Sequence, residues 1–365
     1  MRTKFAWMTI AVMAAICLTS PAALYAGQAK SEQGTNQALR KEFSYKDFSR
    51  IKVSPSYSSI SGRGTFIFGR FRITVIKSDT YKVVMDVRNR EDIDLFDIRK
   101  SGDEIELLYG YRKYPYHSSP KNDIDAEVTI CTPELSEITM SGQSTMTVIG
   151  GSFSGKSLNM RLAGASNLKG LSGKWDNAFL GISGCSEIEN ISVESRSLNL
   201  NASGATKVSG SSAFRATDYA RIDLLGAASV KLISFNGGNA ETSISGAANF
   251  VSERTDAASF KLSMLGGSSF RTSGNINEVS AVLSGAANAM FSGTGKNLVL
   301  SELGSASLKA KDFTVSSAKV SASGAASTTI TVTEKLETDI RGAATLDYYG
   351  HPKEVRTIAD NVRGH

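Results

Sequence analysis

A glycine followed by small residues recurs along this 365-residue sequence from position 142 onward, and this repeat restricts the possible folds more than any other feature. The repeated glycines are Gly142, Gly164, Gly184, Gly204, Gly226, Gly246, Gly266, Gly285, Gly304, Gly324 and Gly342. Successive members are 18 to 22 residues apart. A fixed period near twenty residues is typical of solenoids, in which each repeat packs only against its neighbours.

Apolar residues recur two and four positions before each glycine and four positions after it. The set after the glycine is Met146, Leu168, Ile188, Val208, Val230, Phe250, Phe270, Ala289, Leu308, Thr328 and Leu346. Even offsets lie on one face of a strand, and twenty residues give a contour of about 66 Å, which suits one coil of a β-helix. We therefore predict an all-β protein, a right-handed parallel β-helix with about 20 residues per coil and about 11 coils. The handedness follows from the bias of parallel β crossovers.

Each repeated glycine is predicted to form a corner, where a Cβ would clash or where the backbone needs a positive φ. The residue before the glycine alternates between serine and leucine in the later coils, which indicates a repeat of two coils. This column is Ser203, Leu225, Ser245, Leu265, Ser284, Leu303, Ser323 and Arg341. Glu302 falls in a column expected to face inward, and the sequence leaves open whether Glu302 or the adjacent Leu303 occupies the interior.

Residues 40–135 differ from the repeats because one residue in three is charged there. The β-branched and aromatic segments Phe71–Ile76 and Tyr81–Val87 predict a hairpin or two consecutive strands. We expect residues 43–135 to form a β-strand head that caps the solenoid, residues 136–347 to form the coils, and residues 348–365 to form a C-terminal cap and tail.

The first 26 residues have the order of a secretory signal peptide, with Arg2 and Lys4 before an apolar run and small residues ending at Ala26. The apolar run of about 14 residues is too short for a membrane span, so no transmembrane segment is expected in the mature chain. Residues 27–42 would then be a flexible linker. The protein is predicted to be exported, to the periplasm, the outer-membrane surface or the medium. Lipid anchoring through Cys17 is the weaker alternative, because Ile16 stands where a small residue is needed.

The remaining cysteines, Cys131 and Cys185, are separated by at least two rungs, about 10 Å along the solenoid. A disulfide needs Cα atoms within about 7 Å. No disulfide is therefore expected between them, and we predict that both are free, packed thiols.

Charge and motifs exclude several functions. The formal net charge of +6 falls to +4 without Arg2 and Lys4, which is too small for strong nucleic-acid binding. The sequence has three histidines and none of the usual zinc, calcium or nucleophile motifs. We predict no catalytic, cofactor-binding or metal-binding residues.

An aromatic tract in the head provides the candidate ligand-binding residues Tyr109, Tyr111, Tyr114 and Tyr116. Tyrosine rings that carry a hydroxyl can stack on sugars or contact a partner protein. The alternative is a hairpin loop whose rings only cover the first coil.

Head and repeats together resemble the Bacteroidetes family of auto-transporter adhesins with a head GIN domain, over about residues 43–355. The segments that carry this resemblance are Phe48–Val53, Phe71–Val87, Asp125–Ile130, Pro133–Leu135, Ile138–Gly142 and Tyr348–Lys353. The resemblance implies a right-handed β-helix outside the cytoplasm, with a role in adhesion.

These observations favour a non-enzymatic protein of the cell envelope or cell surface that binds a glycan or a surface protein. One alternative is a polysaccharide lyase or hydrolase, for which Glu187 and Glu189 on one strand face are the closest pair of carboxylates. The other alternative is a structural envelope component without a ligand. The sequence does not indicate the oligomeric state.

Overall fold

The computed structural model describes residues 39–55, 69–88, 90–109, 124–358 and 361–365. In these stretches the regular structure is almost entirely β-strand, with one 3-10 helix at Arg90–Leu95 and no α-helix. The chain divides into two compact units, Met1–Lys174 and Trp175–His365.

The first unit holds the strands of the head and of the first repeats. In chain order they are β1 (Leu39–Phe43), β2 (Arg50–Pro55), β3 (Gly69–Lys77), β4 (Lys82–Val87), β5 (Phe96–Ser101), β6 (Glu104–Tyr109), β7 (Ile124–Thr132), β8 (Glu137–Met140), β9 (Thr145–Ile149), β10 (Phe153–Leu162) and β11 (Asn167–Lys169).

Head strands extend the ladders of the first repeat within this unit. Strand β2 pairs in parallel with β8, with Ile51 opposite Ile138, and β3 pairs in parallel with β9, with Ile73 opposite Met146. The outer head strands β1, β4 and β5 pair antiparallel to their neighbours. The head strands therefore continue the ladders of the first repeat, and the division into a cap and coils stays a prediction.

The strands β3 and β4 are consecutive but do not form the hairpin that the sequence left open. Each pairs with β7, β3 in parallel and β4 antiparallel, so β7 lies between them. The connection Ser78–Tyr81 is long enough to cross one strand width of about 5 Å on each side of β7. Strands β3 and β4 both contribute fully buried side chains on either side of β7, among them Val75 and Val83.

The second unit holds the later repeats. After β12 (Ser172–Ile182), which begins in the first unit, its strands are β13 (Glu187–Glu189), β14 (Ser192–Gly204), β15 (Lys207–Ser209), β16 (Ala213–Gly226), β17 (Ser229–Leu232), β18 (Ser234–Gly246), β19 (Asn249–Ser252), β20 (Thr255–Gly266), β21 (Ser269–Gly285), β22 (Asn288–Gly304), β23 (Ser307–Gly324), β24 (Ser327–Gly342), β25 (Thr345–Tyr349), β26 (Glu354–Ile358) and β27 (Val362–Gly364).

Long strands of successive turns stack in parallel and in register. Corner glycines lie opposite corner glycines wherever two successive long strands pair, from β14 to β24. From β21 to β24 one bent strand makes almost the whole turn. The chain is a β-solenoid of about 11 turns, which confirms the predicted fold class.

The corner glycines have the positive φ that the sequence predicted. At Gly324 φ is +88°, and a Cβ would lie 2.7 Å from the carbonyl oxygen of Gly304. That oxygen accepts a hydrogen bond from the amide of Ala325 at 2.8 Å. The stacked corners therefore leave no room for a side chain, because the backbone of each turn rests on the backbone of the turn before it.

The interior is filled by aligned apolar side chains, with aromatic rings in the later turns. Phe250 and Phe270 stack with centroids 5.3 Å apart and planes 6° apart. Phe291 continues the series 5.1 Å from Phe270, and Phe313 follows 5.7 Å from Phe291. All four rings are at most 2 % exposed. This column runs through the later turns, and Phe260 packs beside it with its ring centroid 5.5 Å from that of Phe270.

The cysteines do not bond to each other, as predicted. Cys185 is a free thiol at an exposed position just after Gly184. Cys131 is fully buried on β7 and is disulfide-bonded, so the prediction of a free thiol is wrong at this position.

Candidate functional site

One outer surface of the second unit is formed by side chains that precede the corner glycines by five, three and one residues. We call it the ladder face. Its three columns are Asn199, Arg221, Glu241, Lys261, Ser280, Val299, Lys319 and Glu337; Asn201, Asp223, Ser243, Ser263, Val282, Ser301, Ser321 and Asp339; and Ser203, Leu225, Ser245, Leu265, Ser284, Leu303, Ser323 and Arg341.

The ladder face is regular because alternate residues of a strand point to opposite sides and the strands are in register. Every member of the three columns is exposed or half-buried. The residues between them point inward, such as Leu224, Ile244 and Leu283, which are at most 1 % exposed. Each column therefore presents one side chain about every 4.8 Å along the solenoid.

The column next to the glycines carries half-exposed leucines on every second turn. Leu225 is 52 % exposed, and Leu265 and Leu303 are each 59 % exposed. In register with them on the intervening turns are serines, including Ser245 and Ser284. The column is therefore a row of alternating projections and hollows.

Two valines extend this apolar surface across the other columns. Val282 and Val299 are each 50 % exposed, and Val282 lies opposite Ser301 on the next turn. Large apolar side chains exposed together on one outer sheet surface are typical of surfaces that contact a partner.

The β16 end of the ladder face carries a cluster of charged and aromatic side chains. Arg221 Nε donates to Asp223 Oδ2 at 2.7 Å, and Arg221 Nη1 lies 3.7 Å from Glu241 Oε1. Tyr219 donates its hydroxyl hydrogen to Glu241 Oε2 at 2.8 Å. The hydrogen bond to Asp223 raises the pKa of Arg221, and partial burial together with Glu241 raises the pKa of Tyr219. Tyr219 is thus a neutral phenol beside a fixed cation.

A groove of about 440 Å³ lies on the ladder face at these turns, lined by Asn201, Arg221, Asp223, Leu225 and Ser243 among others. The amide oxygen of Asn201 is shielded from solvent and has no hydrogen-bond partner among the described residues. The groove combines hydrogen-bonding groups, both signs of charge and an apolar wall. Such a surface can bind a polar ligand or a protein side chain.

Of the four candidate tyrosines, Tyr109 is the one within the described residues. Tyr109 ends β6 in the first unit, is 4 % exposed, and packs against Phe96 with ring centroids 5.2 Å apart. Tyr111, Tyr114 and Tyr116 lie outside the described residues, so their proposed binding role stays a prediction.

The two carboxylates considered for sugar hydrolysis lie on β13. Glu187 accepts hydrogen bonds from Lys207 Nζ at 2.7 Å and from Ser209 Oγ at 3.2 Å. Glu189 follows two residues later on the same strand face. Glu187 is thus held by neighbours of the next turn.

Two other kinds of site are absent from the described residues. No helix there is long and apolar enough to cross a membrane. In the same stretches no three histidine, cysteine, aspartate or glutamate side chains are grouped so that they could hold a metal ion.

The apolar part of the ladder face was not among the residues predicted from the sequence. Its signal was visible as the alternation of serine and leucine before each glycine. The alternation alone does not identify a surface, because the sequence does not show which of Glu302 and Leu303 points outward. The structure places Glu302 inside, 2 % exposed, and Leu303 outside.

The fold and the ladder face define a β-solenoid repeat protein with an ordered, exposed outer sheet. Residues 63–234, 214–290 and 239–352 match the family described as "Putative auto-transporter adhesin, head GIN domain". The chain belongs to this family, which confirms the resemblance seen in the sequence. No curated protein matches the sequence.

Several solved structures are similar to the chain at low identity. A "putative adhesin" from Parabacteroides merdae is 12% identical, with 86% of this chain and 97% of that chain covered and a TM-score of 0.35. A "putative lipid binding protein" from Parabacteroides distasonis is 13% identical, covers 91% and 98%, and has a TM-score of 0.29. A "putative cell adhesion protein" from Clostridium sporogenes is 9% identical, covers 70% and 98%, and has a TM-score of 0.19.

Proposed function

We propose that the protein is an exported, non-enzymatic surface protein that adheres to a glycan or a cell-surface protein through the ladder face. The observation that carries this proposal is the set of half-exposed leucines and valines held in register on an outer sheet. Monomeric soluble proteins seldom display ordered apolar side chains in this way, and such patches commonly mark interaction sites. Membership of a family described as adhesins supports the same function.

The groove at Arg221 supports binding rather than turnover. Arg221 forms ion pairs with the carboxylates of both Asp223 and Glu241, and this pairing does not suit either carboxylate to act as the proton donor in sugar hydrolysis. Glycoside hydrolysis uses one carboxyl group as a proton donor and a second as a base or nucleophile. The ion-paired cluster instead offers fixed donors and acceptors, which suits recognition.

Export is proposed from the leader in residues 1–26. Expression in a bacterial host should yield a mature chain that begins at Gly27, measured by intact mass after fractionation. A chain with Arg2→Glu and Lys4→Glu should stay in the cytoplasm at its full mass. Recovery of the unaltered native chain in the cytoplasm, with the leader still attached, contradicts export.

Binding can be tested with purified native chain on a glycan array and on immobilised bacterial and host cells. The key variant carries Leu225→Ser, Leu265→Ser and Leu303→Ser, and its matched control carries Ile233→Ser and Met290→Ser. Ile233 and Met290 are 41 % and 36 % exposed and lie outside the ladder face. The key variant should lose binding by about tenfold or more, since buried anchors dominate interface energies, and the control should bind normally.

Two results would contradict the proposal. One is loss of binding in a Tyr111→Ser, Tyr114→Ser, Tyr116→Ser variant while the leucine variant binds as the native chain does, because this would place the site in the aromatic tract. The other is release of new reducing or unsaturated ends from a bound polysaccharide, because this would make the protein an enzyme.

A further inference from the structure

We infer that the partner of the ladder face is a second copy of this chain, docked face to face about a two-fold axis parallel to the strands. This inference rests on the proposed function, because it names the partner of the same surface. It assigns the adhesion to contacts between identical chains, with the face of one copy packed against the face of the other.

The column next to the corner glycines is complementary to itself. Leucines follow one another every second rung, about 9.6 Å apart, with a serine hollow midway between them. A two-fold axis along the strands reverses the order of the turns but keeps each column opposite the same column of the second copy. In any register that sets the leucine-bearing turns of one copy against the serine-bearing turns of the other, every leucine therefore enters a serine hollow. A shift by one rung opposes leucine to leucine and serine to serine, so only alternate registers pack.

Charge selects among the registers that pack. One of them opposes Leu225 to Ser284 of the second copy and Leu265 to Ser245 of the second copy. The same register opposes Glu241 to the second copy's Lys261 twice, once on each side of the axis, because the axis relates the two contacts.

The next register that packs is less favourable. It opposes Leu225 to Ser323 of the second copy, and it then sets Arg221 against the second copy's Lys319. Like charges facing each other across an interface are unfavourable, whereas opposite charges fix the register.

The register that opposes Leu225 to Ser245 of the second copy also sets Arg221 against Glu241. It overlaps four turns of the ladder face instead of six. We therefore assign the register that opposes Leu225 to Ser284, which combines opposite charges with the larger overlap.

The area of the contact indicates a reversible dimer. Six rungs of about 4.8 Å and five residues of about 3.3 Å give a face of about 500 Å² per copy. The total of about 1,000 Å² lies at the lower limit for a specific interface, where association is weak and concentration-dependent. The leucine column then supplies apolar contacts along one edge of the face, and the column of Arg221, Glu241 and Lys261 supplies charged contacts along the opposite edge.

The first test is the oligomeric state of the purified full chain. Light scattering and sedimentation from about 1 to 200 μM should show a shift from one to two chain masses for the native protein. The Leu225→Ser, Leu265→Ser, Leu303→Ser variant should remain at one chain mass throughout. The Ile233→Ser, Met290→Ser control should dimerise as the native chain does. Melting temperatures that match the native value show that the leucine variant is folded.

The second test is the register, by disulfide cross-linking in a Cys185→Ser background. Differently tagged chains carrying Leu225→Cys and Ser284→Cys should form a mixed disulfide under mild oxidation. A mixture of Leu225→Cys and Leu303→Cys chains should not, because the proposed packing never opposes those two positions. A native chain that stays monomeric at all concentrations overturns the inference, as does a dimer that survives the leucine variant.

Failure of this inference is distinguishable from failure of the proposed function. A monomeric chain that still binds glycans or cells through the ladder face removes only the second copy as partner. A dimer with the assigned register that adheres to no surface coated with glycans, cells or the chain itself removes adhesion and leaves the self-association.

Discussion

Thr328 donates its hydroxyl hydrogen to Oε2 of Glu302 inside the solenoid, where Glu302 is 2 % exposed. Glu302 stands between Leu283 of the preceding turn and Ala322 of the next turn. Burial raises the pKa of Glu302 to about 7, and the hydrogen bonds from Thr328 and from the Leu308 amide lower it by less. The folded protein therefore binds a proton at Glu302 near neutral pH that the unfolded chain does not bind.

The stability of the protein should depend on pH through Glu302. Since the pKa is higher in the folded state, the contribution is fully present below about pH 4.5 and is lost as pH rises through about 7. Relative to Glu302→Gln, the native chain should lose about 2.5 kcal/mol between pH 5 and pH 8, because each pKa unit corresponds to about 1.4 kcal/mol and part of the shift lies below pH 5. Urea unfolding of both chains at the two pH values measures this. An equal pH dependence in both chains would show that Glu302 does not titrate in this range.

Adjacent glycines at one corner should respond in opposite ways to the same substitution. Gly266 has φ +85°, and its Cβ would lie 3.0 Å from the carbonyl oxygen of Gly246, so Gly266→Ala should destabilise the fold by at least about 1 kcal/mol. At Gly267 a Cβ would meet nothing within 4 Å and φ is not in the left-handed region. Gly267→Ala should therefore be neutral or stabilise by up to about 1 kcal/mol. Thermal melts of the two variants compare them, and equal effects would contradict the stacked-corner geometry.

Phe270 is the centre of the aromatic column, with Phe250 and Phe291 on its two sides. Phe270→Ala should lower the free energy of unfolding by about 3 to 5 kcal/mol, because it leaves a cavity that the rigid turns cannot close. Phe270→Leu should have a smaller effect, since it retains most of the apolar volume. Chemical denaturation of the two variants tests the ranking. A Phe270→Ala chain as stable as Phe270→Leu would indicate that the turns collapse around the gap.

Tyr109 should behave differently from the other tyrosines of its tract. It is 4 % exposed and packs on Phe96, so Tyr109→Ser should cost about 3 kcal/mol of stability. If the tract binds a ligand, Tyr111→Ser, Tyr114→Ser and Tyr116→Ser together should weaken binding without lowering the melting temperature. A fall in the melting temperature of the triple variant would instead indicate that these rings are structural.

The repeat made the solenoid predictable because glycine spacing and inward apolar columns are both properties of the strand backbone. Even a carboxylate did not disturb the register. Slipping β22 by one residue would exchange the inward and outward sets of the whole strand, so one buried Glu302 is tolerated to keep Leu298 and Leu300 inside. The sequence alone could not decide this, because Leu303 offered an apolar alternative next to Glu302.

The head was harder to predict because its pairing is not local. Segments around Val75 and Val83 have the composition of strands, and three turn residues between them favour a hairpin. The apolar strand β7, which follows about forty residues later, is inserted between them. A partner so distant in sequence leaves no trace in the spacing of the two segments themselves.

The binding surface was only partly accessible from the sequence. The tyrosine tract was predicted to bind a ligand because clustered aromatic residues are visible in the sequence itself, whereas Leu225 and Leu265 resemble core residues when the side of the sheet is unknown. Their exposure follows from the register with Leu224 and Met264, which occupy the interior. The sequence thus contained the alternation, and the structure supplied its orientation.

The alternation of Leu225, Ser245 and Leu265 also restricts how such a chain can change in length. Duplication or deletion of one turn preserves the corners but brings two leucines or two serines together in the column. Only gains or losses of an even number of turns, about forty residues at a time, keep the pattern unbroken. Descendants of this gene are therefore expected to grow and shrink in paired modules.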